Sequence, residues 1–523
     1  MKKQNAYFLL LLLFTLLSCQ SSDDPSFDRL LADNKQFDIL LRNGRIIDGT
    51  GASPFEGDVL VKNGEIVYVG LVDTTKITVA KTINARGRII SPGFIDAHAH
   101  GDPATDTSML NFLAMGVTTI VLGQDGASPN YLEAGLSGPS PWLDQLDKLD
   151  FQLNVAYLLG HGTLRRMAGI PDKEAPSEVQ LMEMKSLLKA AVEAGFYGMS
   201  TGLEYVPGLF APASELMALA QTLGETDGLI MSHMRNEDND AVEASIDELI
   251  RQGVHCRVHI AHLKVVYGKG PERAQEILAK IGQAHANGIF LSADVYPYMA
   301  SYTGIGILFP QWAKTKADFE QAKNSRNKEL RDYLFQRVQQ RNGPEATLFG
   351  TGSFAGQTLA QVAEEAGKPY VDILMEIGPN GASGAYFVMD EPLQEQFIAS
   401  PLIMISTDGS PKMRHPRGYG SFAKIIERYV EEKRLLSLEL AIHKMTELAA
   451  KTIGLDKRGR IAEGYKADLL VFNETSVKAK ASYENPFQLS EGFDVIVVNG
   501  QLLREEGTWK EVRPGALLRK QKK

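Results

Sequence analysis

The chain has 523 residues, 44% apolar and 23% charged, an ordinary globular composition in a length too great for one small domain. A net charge of −9 argues against nucleic acid, which normally draws a basic patch or stripe, so no nucleic-acid partner is expected. Two or three domains, or one large barrel with appendages, fit the length.

The first residues read as an export signal. Lys2 and Lys3 precede an apolar run from Tyr7 to Leu17, too short for a comfortable membrane span. The run ends in "LLSC", Leu16 to Cys19, which resembles a bacterial lipobox. Cys19, one of only two cysteines, is therefore read as a lipidation site. Residues 1–19 are then a lipoprotein signal peptide, and residues 20–36 a polar tether. The expected location is outside the cytoplasm of a Gram-negative bacterium, on the periplasmic side or the cell surface. The lipid would be the only membrane contact. The plain alternative is a secretion signal with an incidental cysteine. Cys256 is left without a disulfide partner.

"FDILLRNGRIIDGTG" alternates and carries Asn43-Gly44, a hairpin signal, and "GDVLVKNGEIVYVG" repeats the pattern at Asn63-Gly64. Residues 37–88 thus read as short antiparallel strands. Residues 455–515 read alike, with "ADLLVFN" and Asn499-Gly500. Neither half is stable alone, so the two ends are expected to pair into one small β-sandwich-like domain.

Between them, residues 89–454 alternate apolar strands with amphipathic helices. One helix is expected over 178–194. Ser177 and Gln180 form its capping box, Leu181, Met184, Leu188 and Val192 its buried stripe, and Gly195 its end. Another is expected from Ala241 to Gln252. Eight strand-like runs end near His100, Asp125, His161, Tyr205, His233, His262, Tyr296 and Asp408. Eight such repeats predict an α/β fold of the (β/α)8 TIM-barrel type, with its chemistry at the strand ends. The last gap is far longer than the others. Residues 304–395 are expected to form an inserted lid subdomain between barrel strands seven and eight.

The predicted strand ends carry the chemistry. In "SPGFIDAHAHGD", His98 and His100 share strand parity and converge on one point. Two imidazoles alone are a weak metal signal, equally readable as polar residues closing a strand. Asp125, His233, His262 and Asp408 add four more donors at strand ends. Nitrogen and oxygen ligands without thiolate fit one or two Zn2+ ions, with Mn2+ or Co2+ as alternatives.

These residues resemble the signature of the amidohydrolase superfamily: H-x-H on strand one, His on five, His on six, Asp on eight. Local motifs are similar to those of the N-acyl-D-amino-acid deacylases (D-aminoacylases): "GVTTIVLGQDG", "STGLEYVPG", "SHMRNE", "AHLKV", "DVYPY" and "STDGSPKMRHPRGYGSF". The resemblance covers essentially everything from residue 37 on. It implies a metal-dependent hydrolase that cleaves the amide of an N-acyl-D-amino acid or a D-residue dipeptide, a small-molecule substrate. Such an ion acidifies bound water and polarises the amide carbonyl. Asp408 would take the water's proton and pass it to the leaving amine. In that family the strand-two residue is commonly a metal-binding Cys. Here it is Asp125, a harder ligand that implies weaker or different metal binding, or a bridge between two ions.

The resemblance further assigns the substrate's free carboxylate to Tyr205, Lys264, Tyr296 and Arg417, with Arg414 as a rival for Arg417. Glu204 reads as a pocket residue rather than a ligand. His161 is expected to touch substrate and His415 to line the pocket. His255 and His259 are expected to face helices, and Cys256 to be a buried structural thiol. An acidic side-chain preference would need a further cation that the sequence does not locate. A cyclic-amide hydrolase is the second reading, weakened because "GFYGMSTGLEY" lacks the lysine that many of those enzymes carbamylate. A non-catalytic solute-binding lipoprotein is the third. Nothing in the sequence speaks to oligomeric state.

Overall fold

A computed structural model describes residues 25–33 and 35–521. The signal peptide and Cys19 lie outside the described residues. Eight parallel strands form the barrel: β1 (Phe94–Asp96), β2 (Val117–Leu122), β3 (Asn154–Tyr157, continued by Leu159–Gly160), β4 (Gly198–Gly202), β5 (Leu229–His233), β6 (Arg257–Ile260), β7 (Leu291–Val295) and β8 (Ile403–Ile405). β8 closes on β1 beyond the strand ends, where Asp408 N donates to His98 O and His100 N to Gly409 O, both at 2.8 Å.

Alternation decides which side chains fill which layer. Ile230, Val258 and Ile260 face the helices, while Val121, Ala156, Met231 and Met404 face inward and close the barrel floor. Helix Glu178–Ala194 has the expected Ser177–Gln180 capping box, and Gly195 ends it at φ 127°. Helix Val242–Gln252 follows its expected span within one residue.

Both chain ends build one nine-stranded sheet, joined where Leu470 of strand Leu469–Phe472 pairs antiparallel with Ser91 of strand Ile89–Pro92. Ile39, Val59, Leu469 and Val495 share its inner core. Several expected boundaries shift. Strand Ile89–Pro92 belongs to this sheet, not to the barrel, and runs parallel to strand Gln36–Ile46, as does Thr78–Asn84. Asn63-Gly64 and Asn499-Gly500 are tight hairpin turns, with φ of 51° and 79° and of 46° and 75°. Asn43-Gly44 is not a turn. It is a bulge inside Gln36–Ile46, where Arg42 and Asn43 oppose Asp58 alone between the pairs Leu41–Val59 and Gly44–Gly57. A Cβ on Gly44 would meet Ile90 at 2.5 Å, so packing requires glycine there.

The stretch expected to be a tether, residues 20–36, is not all irregular. Pro25–Asp33 is a helix, because Phe27 and Leu31, four apart, bury against Leu40, Leu60 and Tyr68. At the other end the chain passes residue 515, and Leu517 bridges to Val155 of β3.

The insert runs from strand Ser301–Gly304 to just before helix Glu391–Ala399, which packs on helix Gly270–Ala286 as part of the barrel wall. It has its own three-stranded antiparallel sheet and its own core around Leu308, Leu334, Phe349 and Leu374.

Candidate active site

Backbone turns at the barrel rim aim the side chains. Asp125, His262 and Asp408 have φ of 52°, 38° and 47°. Such left-handed conformations cost about 1–3 kcal/mol each and cluster at functional sites. The turn at His262 also breaks strand parity. His259, by the regular alternation of β6, therefore points into the barrel as well, not toward the helices as counting back from His262 predicts. The Asp125 loop lies on β4 only because residue 202 is glycine: a Cβ there would sit 2.1 Å from the Asp125 carbonyl oxygen.

All six expected ligands converge in two groups that share Asp125. His98, His100, Asp125 and Asp408 form one, and Asp125, His233 and His262 the other, with donor atoms of each group within 4.8 Å of one another. Asp125 Oδ1 is 3.3 Å from His98 Nε2 and 3.5 Å from His262 Nε2, and Oδ2 is 3.5 Å from His100 Nε2. Asp408 Oδ1 is 3.1 Å from His100 Nε2 and 3.7 Å from His98 Nε2. His233 Nδ1 lies 2.9 Å from His262 Nε2.

A surrounding layer orients them. Asp294 holds His259 Nε2 at 2.7 Å, accepts from His262 N at 3.0 Å, and lies 3.7 Å from His98 Nδ1. Asp96 accepts from His98 N, Thr407 N and Thr407 Oγ1, tying β1 to β8. Burial pushes its carboxyl up to about 7 against the pull of those donors. Glu204 faces His233 Nε2 at 3.3 Å. Glu237 grips Lys264 Nζ with both oxygens at 2.8 Å and lies 3.1 Å from His262 Nδ1. His259 joins this layer although it was expected to face a helix, and Asp96, Glu237 and Asp294 carry no sequence signal of their own. These three sit in "FIDAHAH", "SHMRNE" and "SADVYPY", beside residues that do.

Carboxylates outnumber cations here, and the imidazoles respond. Burial and Lys264 push His262 down, but Glu237, Asp408 and Asp125 outweigh them and lift it to about 9. His98 is raised well above its ordinary value: burial opposes the rise, while Asp125, Asp294 and Asp408 hold its charged form. Burial would raise Asp408, but Arg417 first and then the imidazoles hold it well below the carboxylate range.

The four residues expected to hold the substrate's carboxylate line one pocket, and two of them are already ion-paired. Arg417 is buried, with Nη1 2.8 Å from Asp408 Oδ2, Nη2 on Tyr302 O, and its guanidinium 4.7 Å from the Tyr296 ring centre. Lys264 is committed to Glu237. Tyr205 packs against His233 with the rings inclined at 40° and their centres 4.4 Å apart, and accepts from Thr303 Oγ1. Arg414 is elsewhere, bonded to Glu484 O, so Arg417 is the arginine at the site. His415 lies behind it. It bonds Ala300 O through Nε2 and accepts from Arg417 N through Nδ1, and burial and then Arg417 keep it neutral. His161 does not reach the pocket. It pairs with Glu215, which also binds Arg165. Cys256 is half-buried near the foot of β6, its thiol pushed up to about 12 by burial.

Two spaces meet at Asp125, Tyr205 and Thr303. One is an open cleft of ≈ 540 Å³ past His100, Tyr157 and Arg166. The other is a narrow pocket past Lys264, Tyr296, Arg341 and Arg417.

A divalent cation suits these donors. Both nitrogens of His98 and Asp125 Oδ1 are buried with no hydrogen-bond partner among the described residues. An unpaired buried imidazole facing carboxylates is costly unless something positive joins them. The fold and rim together define a metal-dependent barrel hydrolase. The chain belongs to the amidohydrolase family, matched over residues 81–503. It is 32% identical to N-acyl-D-glutamate deacylase of Alcaligenes xylosoxydans over 93% of this chain and 97% of that one. Its structure is similar to that of N-acyl-D-glutamate deacylase from Bordetella bronchiseptica, complexed with zinc and a phosphonate that mimics the tetrahedral intermediate (TM-score 0.80, 31% identity, 92% of this chain and 100% of that one). It is also similar to a D-aminoacylase with a binuclear metal centre (TM-score 0.79, 30% identity, the same coverage). The protein is thus an enzyme, a metal-dependent hydrolase of linear amides.

Proposed function

We propose that this enzyme is a zinc-dependent deacylase of N-acyl-D-amino acids or D-residue dipeptides, releasing the free D-amino acid. The observation that carries the reading is the sharing of Asp125 by two ligand groups, in a chain so similar to deacylases of that class. Asp125, His233 and His262 would hold one ion, and His98, His100 and Asp408, again with Asp125, would hold a second. Bound there, zinc would acidify water and polarise the scissile carbonyl.

The chain's own groups do the rest. Arg417 pins Asp408 Oδ2 and leaves Oδ1 facing His100 and His98. Oδ1 accepts the proton of the attacking water and delivers it to the leaving amine. Glu204 and Glu237 fix the ring orientations of His233 and His262. Tyr205, Lys264, Tyr296 and Arg417 wall the pocket for the α-carboxylate, which joins the existing ion pairs rather than meeting bare cations. The open cleft takes the acyl group or N-terminal residue.

A soluble form starting at Ser21 tests this. Stripped of metal and reloaded with zinc, it should release amine from N-acetyl-D-amino acids and not from their L-enantiomers. Release without metal, or from L-substrates alone, overturns the reading.

The export signal and Cys19 support a lipid-anchored enzyme outside the cytoplasm. Among the described residues no helix is long and apolar enough to cross a membrane. Membrane fractionation of the full chain, with and without Cys19→Ser, tests the anchor. Equal release of both into the soluble fraction refutes it.

A further inference from the structure

Three cations line the narrow pocket: Lys264, Arg341 and Arg417. Two are spoken for. Lys264 is gripped by Glu237, and Arg417 by Asp408. Arg341 differs. It caps helix Asn327–Gln340 of the insert and is 3% exposed. Among the described residues it has no carboxylate partner. Its Nε has no hydrogen bond at all. Its only side-chain bond is from Nη1 to Tyr267 Oη at 3.4 Å, and the Tyr386 ring centre lies 5.2 Å from the guanidinium. The nearby Asp238 does not neutralise it, because that carboxylate pairs with Arg337 at 2.8 Å. A guanidinium taken out of water without an anion is costly, and an entering carboxylate relieves that cost with two parallel hydrogen bonds.

Position decides which carboxylate it meets. Arg417 touches Asp408, so it stands next to the reacting atoms and within reach of an α-carboxylate. Arg341 touches none of the six metal-site residues and is held by tyrosines beyond them. It is the far cation of the pocket. We propose that Arg341 binds the side-chain carboxylate of the substrate, making this enzyme selective for N-acyl derivatives of D-glutamate or D-aspartate. The insert thereby supplies the cation that an acidic preference requires. The inference rests on the deacylase reading above and adds its side-chain class. It also separates this chain's insert from the rim: the rim performs hydrolysis and the insert chooses the side chain.

The test compares kcat/KM of the zinc-loaded enzyme on N-acetyl-D-glutamate, N-acetyl-D-aspartate and N-acetyl-D-leucine, for the natural sequence, Arg341→Met and Arg341→Lys. The natural enzyme should favour an acidic substrate over the leucine one. Arg341→Met should lower the acidic-to-leucine ratio about 100-fold, mainly through KM, because a site built for a charged group discriminates strongly. Arg341→Lys should restore part of that ratio, since it keeps the charge and loses the fork. The ratio is insensitive to the fraction of variant that folds. As a readout independent of turnover, D-glutamate should raise the Tm of the natural enzyme and not that of Arg341→Met. Hydrolysis of the leucine substrate with no acidic preference overturns this assignment alone. An unchanged ratio in Arg341→Met does so too, as does an equal loss on all substrates, which would place Arg341 on the α-carboxylate. No release from any D-substrate by zinc-loaded enzyme overturns the deacylase reading, and the assignment with it.

Discussion

Metal binding should compete with protons, and the structure sets the size of the effect. Without an ion, the carboxylates around His262 lift its pKa to about 9. A metal ligand must be the neutral imidazole, so each ion bound there displaces that proton. At pH 7 the group lies about two units below its metal-free pKa, which weakens apparent binding about 100-fold, or ~2.7 kcal/mol at 1.36 kcal/mol per unit. The metal-free protein holds more protons than the loaded one, so apparent affinity must rise with pH. The rise is about tenfold per unit for each displaced proton, and His262's share levels off near pH 9. His98 and His100 are raised as well, so the slope should be at least one. The assay is chelator competition for zinc on stripped enzyme at pH 6.5, 7.5 and 8.5. Calorimetry in buffers of different ionisation enthalpy would count the protons. Glu237→Gln removes the leading charge that lifts His262, so it should flatten the slope. A pH-independent affinity, or the same slope in Glu237→Gln, would refute the electrostatic account of the site.

Four further outcomes are expected. Asp408→Asn should lower kcat by about 10²–10⁴-fold with secondary structure intact by circular dichroism, the usual range for losing a positioned proton-transfer group. Asp294→Asn touches neither water nor substrate, yet it should weaken zinc binding about 10–100-fold in the same chelator assay, because it orients His98 and His259. Gly202→Ala puts a Cβ 2.1 Å from the Asp125 carbonyl oxygen, so the Asp125 loop must move, and metal-dependent activity should fall about tenfold or more. Native Cys256 should resist a disulfide reagent at pH 8 despite being half-buried, because burial keeps its thiol near 12, and should react in full once denatured.

The barrel was legible because its signals are local. Apolar runs alternate with capped helices, and each of the eight runs ends in or near a polar residue. The same logic led to the six rim residues, since a strand end is visible in sequence even when its neighbours are not. Local signals misled where tertiary packing overrode them. Asn43-Gly44 became a bulge inside a longer strand, where Asp58 accepts from Asn43 N and Ile90 packs over Gly44. The polar tether became a helix because a sheet face offered Phe27 and Leu31 a place to bury. His259 faces inward by the regular alternation of β6, and it is His262, past the strand end and itself left-handed, that departs from it.

The pairing of charges belonged to the tertiary structure alone. His100 and Asp408 stand 3.1 Å apart across 308 residues of chain, and Lys264 and Glu237 meet across 27. Sequence pointed to Lys264 and Arg417 as cations of the pocket. It could not tell that both are already matched, nor that Arg341, at the end of a helix of the insert, joins them unmatched. The physical reason is range: periodicity, caps and turns act within a few residues, whereas Coulombic partnership depends on distance through space, which the closed barrel sets.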